Sequence, residues 1–311
     1  MASRTAQREA RRQVAKQARI EAAGLRAAFR ISRNIMAEAG RLWMDGIDPS
    51  ARVGQMAQAY SESVLDAMVT AHLNARLDAL VRAAGAGAGV KALAIPGLQG
   101  EAVKFVEARI ALTDAEISAI NAQYGVEAAS ITGALSTDLE AKVAAAVRES
   151  TAQGLTVRDG SKLIGDAFAR AGVVPSNAYQ LQTIFRTQTA TAYAAGRWQA
   201  NQDPAIQEIL WGYEYSTAGD DRVRLEHAAL EGIVLPKDDP QWASIAPPNG
   251  WSCRCTLMEV YDTDDHEVIQ PPVGPIEIEG QTIMPGPDDR WKHHPLNAIG
   301  QTPRLNDTPA V

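Results

Sequence analysis

Cysteine is nearly absent from this chain: there are two among 311 residues. Two cysteines cannot build the disulfide framework of a small secreted protein. Aromatic residues are also scarce, at 5 %, which argues against a large β-sandwich core. No apolar run approaches the ~20 residues that a membrane-spanning helix needs; the stretch Leu80–Leu98 is broken by Arg82, Lys91 and several glycines. The N-terminus has no apolar signal-peptide core, so synthesis in a cytoplasm is expected. A phosphate-binding P-loop, a dinucleotide-binding glycine fingerprint and a His-Glu-x-x-His helix are all missing. The net charge of −7 gives no global reason for nucleic-acid binding.

What the chain has is alanine, in 46 % hydrophobic content, and charge placed unevenly. Arg4, Arg8, Arg11, Arg12, Lys16, Arg19, Arg26, Arg30, Arg33 and Arg41 face only Glu9, Glu21 and Glu38 in the same stretch. This is a basic segment on an acidic protein. Leucine, isoleucine and alanine recur there at helical spacing, predicting one or two helices over residues 3–45 that end at Gly40 and the turn Asp45–Ser50. A second helix is expected from Val53 to Val81, with Met56, Tyr60, Val64, Met68 and Leu77 along one stripe. The glycine-rich stretch Ala83–Gly100, with Pro96-Gly97, reads as a linker.

Three capping patterns follow. Thr113-x-x-Glu116 opens a helix expected to stop at Gly125, and Thr137-x-x-Glu140 opens one expected to stop at Gly154. Thr156-x-x-Asp159 opens a third that closes at Gly172, and Pro175–Asn177 precedes a long helix through Asn201. After Pro204 the texture changes. Ile206–Ser216 is β-branched and aromatic, turn residues become dense, and Pro271–Pro287 reads as a short hairpin between prolines. The fold class expected is α+β: a helical arm and linker over 1–100, a helical region over 101–204, a loop-rich α+β module over 205–270, and an extended tail with a hairpin over 271–311.

Both cysteines lie in "PPNGWSCRC", Pro247 to Cys255. A disulfide between residues two apart closes a ring too small for good geometry. Zinc would hold two close thiolates, but it takes four ligands; His227, His266, His293, His294, Asp220 and Asp221 are the nearby donors. Plain packing of two thiols on a short strand is the competing reading. A third is a Cys253 nucleophile with His227 as base, for which the sequence names no orienting partner. Upstream, Asp221, Arg224 and His227 are spaced three apart and would share a face of a helical turn. The alternative is a loop clamp in which Asp221 caps a turn and Arg224 pins a carbonyl or carboxylate. On the helix Phe185–Gln199, Ala190, Ala194 and Gly196 permit a close helix approach, while Arg186 and Arg197 raise a phosphate-facing reading.

The order of these stretches resembles the Mu F-like phage head morphogenesis family of minor head proteins. The matching residues are Arg186-Thr187, Asp221 and Arg222 with Arg224, then His227 and Gly232. Asp239-Pro240 with Trp242 follows, and then Pro247, Pro248, Gly250, Cys253, Arg254 and Cys255. The resemblance covers about Ser130 to Val260 and leaves the first 110 residues outside it. It implies a structural virion component, not an enzyme, acting in capsid assembly near the portal and in DNA packaging or delivery. The implied partners are the portal and other head proteins, with packaged DNA reached through Arg4–Arg41, and no membrane. About fifty residues after Cys255 are too few for a typical enzyme domain. Zinc at His227, Cys253 and Cys255, with an unassigned fourth ligand, is the one cofactor expected. A cysteine- or zinc-dependent hydrolase using His227 and Cys253, and a DNA-binding protein acting through the basic segment, are the other classes.

Overall fold

The computed structural model describes residues 4–86, 109–110, 112–262, 264, 266–288 and 291. Most of the glycine-rich linker, His293 and His294 lie outside the described residues. Among the described residues the long helices are α1 (Arg4–Met44), α2 (Ser50–Ala57), α3 (Tyr60–Gly85), α4 (Asp114–Ala152), α5 (Val157–Arg170) and α6 (Tyr179–Asn201). Short elements follow: α7 (Pro204–Gln207), β1 (Leu210–Ser216), α8 (Leu225–Ala228), β2 (Val234–Pro236), α9 (Trp242–Ile245), β3 (Thr256–Tyr261), β4 (Ile276–Ile278) and β5 (Gln281–Ile283). This is an α+β fold whose strands, among the described residues, all lie C-terminal to residue 209.

The residues gather into two compact units. One comprises the described parts of 1–19, 68–120 and 187–302; the other comprises 20–67 and 121–186. This division cuts across the sequential segments expected from composition.

The helical unit packs through small and aliphatic side chains. On α1, Ala28, Ser32, Ile35 and Ala39 are buried at spacings of three and four, while Arg26, Arg30, Arg33 and Arg41 stay exposed. The Ser32 hydroxyl donates to the Val173 carbonyl at 2.6 Å and shares a 2.8 Å hydrogen bond with the Tyr60 hydroxyl. The basic segment is therefore one long helix with a buried face, and Gly40 does not end it. It ends at the Asp45-Gly46 turn, where Gly46 adopts φ +74°.

The helix expected over Val53–Val81 breaks into α2 and α3. The last turn of α2 tightens, with Gln58 N–H donating to Gln55 O and Ala59 N–H to Met56 O. Leu77 is half-buried, and alanines carry its stripe instead: Ala71, Ala75, Ala79 and Ala83 are all fully buried.

The Thr113–Glu116 capping box forms as read, with exchanged bonds of 2.8 Å and 3.2 Å. The Thr137–Glu140 box does not, and Gly125 does not stop the helix. α4 runs through both because Tyr124, Ala128, Ile131, Leu135, Leu139 and Val143 make one continuous buried stripe. A helical glycine costs about 1 kcal/mol, far less than the burial of that stripe contributes. Thr137 instead sits mid-helix, its hydroxyl donating back to the Gly133 carbonyl at 3.0 Å. Thr156 does cap α5, accepting from Asp159 N–H at 3.2 Å.

The other unit holds an antiparallel sheet in the order β2-β1-β3, with Tyr213 paired to Leu235 on one side and Glu259 on the other. A side chain at Gly212 would collide with the Leu235 carbonyl, so glycine is what lets β2 pair closely. Its core joins Leu80, Ile206, Leu210, Tyr213, Tyr215, Leu230, Leu235, Trp242 and Tyr261. The sparse aromatics are concentrated here: Trp198 stacks on Tyr213 at 5.4 Å, and Trp242 meets Tyr213 edge-on at 6.0 Å. The hairpin β4–β5 turns at Glu279-Gly280, both at positive φ, the conformation a tight two-residue hairpin turn demands.

Glu259 on β3 is buried at 2 % exposure. It accepts from Arg197 and from Asn201 at 2.9 Å, with Arg82 Nε at 3.3 Å. Burial disfavours its charge, but Arg197, Arg82 and Asn201 outweigh this and hold the carboxyl below the ordinary value. Arg197 is thus committed to an internal carboxylate, not to phosphate. α3 and α6 approach so closely that a side chain at Gly196 would strike the His72 backbone.

Two outcomes follow. Gly196→Val should lower unfolding stability by about 1–3 kcal/mol through overpacking, read by urea denaturation; an unchanged midpoint would contradict the close approach. Glu259→Gln leaves Arg197 without its counter-charge and should cost about 3–5 kcal/mol. Because the folded carboxyl sits below 4.5, its stabilisation is present above that pH and is lost as pH falls through the depressed value. The wild-type chain should therefore lose more stability on acidification than Glu259→Gln does, in denaturant titrations stepped downward from pH 5.

Candidate functional site

The sequence between β1 and β3 folds back on itself as a knot of short turns, all within the sheet-containing unit. Arg224 takes an extended conformation and starts the single turn α8, which presents His227 inward. The chain reverses at Gly232, at φ +79°. Its N–H donates to the Tyr215 carbonyl at 2.8 Å, and Tyr215 N–H donates to Ile233 O at 2.8 Å, so the segment is tied to the end of β1. The second arm is Pro247 to Cys255. Pro247 and Pro248 are buried and joined by a cis peptide. The side-chain amide of Asn249 donates to the Tyr215 hydroxyl at 2.8 Å and to the Ile245 carbonyl at 3.0 Å. Ser252, at φ +56°, donates its N–H to Thr187 Oγ1 at 3.0 Å. Trp242 closes the core beneath, its indole N–H donating to the Pro236 carbonyl at 2.9 Å.

These turns bring His227, Cys253 and Cys255 together. Each sulfur lies 3.8 Å from His227 Nδ1, and the three donor atoms all lie within 4.8 Å of one another. His227 is 2 % exposed and Cys253 is 3 % exposed, while Cys255 is half-buried. His227 stands on a helical turn and the cysteines on the approach to β3, not on two paired strands. Residue alternation turns Arg254 away from both sulfurs, and its guanidinium grips Asp220 with bonds of 2.5 Å and 2.6 Å.

The acid–Arg–His face expected of Asp221, Arg224 and His227 does not form, because only one turn of helix exists and it begins after Arg224. Asp221 is exposed. Its neighbour Asp220 does the capping instead, accepting from Arg222 N–H at 3.1 Å; the Arg254 guanidinium holds the Asp220 carboxyl well below the usual range. Arg222 reaches Asp220 only at 3.6 Å and is exposed. Arg224 is the clamp: both terminal nitrogens donate to the Trp251 carbonyl, at 3.1 Å and 3.2 Å, and its Nε lies 3.2 Å from Asp288. Arg186 belongs to the helical unit, paired with Glu21 at 2.9 Å, and takes no part in the knot. His266 lies against the Trp211 ring at 4.0 Å and is not among the clustered donors.

Asp288 is the residue that sequence reading misses. Its Oδ1 lies 3.5 Å from His227 Nε2, the outer limit of a hydrogen bond. The segment carrying it is fastened by Asp288 N–H donating to Asn249 O at 2.9 Å, and Trp291 meets Trp251 edge-on at 5.7 Å. A side chain at Gly250 would run into the Asp288 carboxylate and Arg224, which is why glycine stands there. Asp288 is separated by a whole hairpin from the cysteines, so no spacing pattern could have flagged it.

The electrostatics are those of a proton-sharing cluster. Burial opposes charge on His227, but Asp288 and the Cys253 sulfur push its pKa up to about 9. The hydrogen bond from Cys255 and the nearby imidazole lower the Cys253 thiol, against burial; Cys255 is correspondingly held up by Cys253 and by burial.

The family profile described as "Phage Mu protein F like protein" matches residues 141–258. The "Mu-like prophage FluMu F protein" of Haemophilus influenzae is 40 % identical over 78 residues, 25 % of this chain and 18 % of the relative. The "Putative capsid assembly protein F" of Escherichia phage Mu is 37 % identical over 99 residues, 32 % of this chain and 22 % of the relative. The aligned parts thus span less than a quarter of either relative's length. No solved structure matches the chain. The matched segment takes in α5, α6, the sheet's first strands and the knot through both cysteines; over residues 141–258 the chain is similar to the Phage Mu protein F like family.

Proposed function

We propose that this chain is a structural protein of a phage head, acting in capsid assembly beside the portal and aiding DNA packaging or delivery. The observation that carries this reading is the similarity of residues 141–258 to a family whose Mu relative is named for capsid assembly. The knot supports it chemically: its thiols and imidazole are turned inward, Arg224 is spent on Asp288 and the Trp251 carbonyl, and Arg254 on Asp220, an arrangement for holding a surface in shape. No described helix is long and apolar enough to cross a membrane, in keeping with partners that are other head proteins. In a phage carrying this gene, a nonsense allele should abolish infectious heads, and the chain should be found in purified wild-type heads cross-linked to the portal. Normal titres without it, or its absence from heads, would overturn the assignment.

A contact with DNA is a second reading, favoured by one feature. Arg8, Arg11 and Arg12 are exposed on α1 and line one open depression with Gln7 and Ala15, while Ala6, Ala10 and Gln13 on the opposite face are buried. Positive charge thus predominates on a fixed helical face, with Glu9 paired to Arg12 at 3.4 Å. Each phosphate contact contributes roughly 0.9 to the slope of log affinity against log salt. Replacing all three arginines with glutamine should reduce that slope by about 2–3 for double-stranded DNA; an unchanged slope would remove this face as the contact.

A further inference from the structure

We propose that His227, Cys253 and Cys255 bind one zinc ion, through His227 Nδ1 and two thiolates, and that Asp288 positions the imidazole from its far side. Neither the family description nor the relatives' names assign a metal, and the inference stands independently of the head-assembly role.

Distances come first. A zinc ion sits ~2.3 Å from sulfur and ~2.0–2.1 Å from imidazole nitrogen, so in tetrahedral geometry its nitrogen and sulfur ligands stand ~3.6 Å apart. Both sulfurs are already 3.8 Å from Nδ1. Closing on an ion therefore requires shifts of only a few tenths of an ångström, well within side-chain adjustment. The ring is also oriented for the task. A metal-bound histidine usually donates its other N–H to a carboxylate, which fixes ring and tautomer. His227 Nε2 is buried and faces Asp288 at 3.5 Å, and Asp288 is itself held by Arg224 at 3.2 Å. The nearest paired cation thus steadies the carboxylate and leaves the ligand atoms free. Cys255, the least buried of the three, is the side on which a water completes four-coordination.

The competing uses of these groups fit less well. A Cys253 nucleophile with His227 and Asp288 would be a complete triad by residue type. A nucleophile, however, must reach a substrate, and at 3 % exposure Cys253 does not; nor does catalysis need a second sulfur at an equal distance from the same nitrogen. A disulfide across one intervening residue is geometrically poor. Two packed thiols would be weak partners for a buried imidazole nitrogen, whereas zinc uses all three donors at once. The sequence gap is accounted for too. A Cys-x-Cys pair is tighter than the usual zinc spacing, and here the pair supplies only half of a site whose third ligand comes from α8, 26 residues upstream of Cys253.

The test uses the full chain, purified under reducing conditions without chelator. Elemental analysis should find about one zinc per chain, and cobalt substituted for it should show the visible and near-ultraviolet bands of thiolate-bound tetrahedral cobalt. Cys253→Ser and Cys255→Ser should each lower bound zinc below a tenth of an equivalent. Because those variants could unfold for other reasons, Asp288→Asn provides a milder probe: it keeps every ligand, and zinc affinity measured by chelator competition should fall about 10- to 100-fold. Zinc below a tenth of an equivalent in the wild-type chain, with no change in melting on chelation, would overturn the proposal. The accompanying thiol assay then says what stands in its place: two free unreactive thiols mean packing, a mass deficit of two hydrogens means a disulfide, and rapid selective alkylation of Cys253 means a nucleophile. Full zinc in Asp288→Asn with unchanged affinity would remove Asp288 as the positioning residue.

Discussion

A single buried carboxylate organises the sheet-containing unit. Glu259 projects from β3 and is met by Arg197 and Asn201 from α6 and by Arg82 from α3. Arg82 also donates to the Glu259 backbone carbonyl at 2.8 Å and lies over the Tyr261 ring at 5.8 Å. A lone buried charge would be too costly to keep, whereas one with three partners is tolerated and is exact about where they must stand. It fixes how far along α6 and α3 the sheet can dock. Nonpolar packing alone would specify this poorly, because α3 carries mainly alanine on its buried face.

Small side chains complement that constraint. The fully buried alanines of α3, with Gly196 on α6, let backbones approach until the His72 carbonyl fills the space a Cβ would take. The contribution per residue from burying alanine is small, so many such contacts and a few polar anchors share the task. Gln13 illustrates the pattern. It is 1 % exposed, and its carbonyl oxygen accepts from the Thr256 hydroxyl at 2.9 Å. The first turns of α1 therefore pack on β3 beside Ala6, Ala10 and Met258, although the sequence there reads as a free basic arm. Arginine count is conspicuous in a sequence, while an alanine face is quiet. The quiet face is what decides that this helix is a packed part of the unit.

The legible and illegible parts of the chain divide along that line. Helix existence was readable from periodicity, and the cap at Thr156 and the hairpin at Glu279-Gly280 were readable because their chemistry is local. At Gly40, Gly125 and Thr137 a continuing buried stripe outweighs the local stop or start signal. In the site, His227, Cys253 and Cys255 were legible as scarce reactive residues between turn signals. Asp288, Tyr215, Asn249 and Glu259 were not, since each works through a contact made only in three dimensions. Helical spacing points to Asp221, but the chain forms too little helix there for that spacing to apply, and Asp220 does the capping.

The same contrast bears on what the knot does. Its ring of bonds runs from Thr187 on α6 through Ser252, from Asn249 to Tyr215 on β1, from Arg224 to Trp251, and from His227 to Asp288 beyond the hairpin. Five stretches distant in sequence are thus tied around one imidazole and two sulfurs, and every one of these ties uses at least one side chain. Two further residues shape the knot: glycine at 250, where Asp288 and Arg224 press in, and Arg254, which turns outward to Asp220 as its neighbours turn inward.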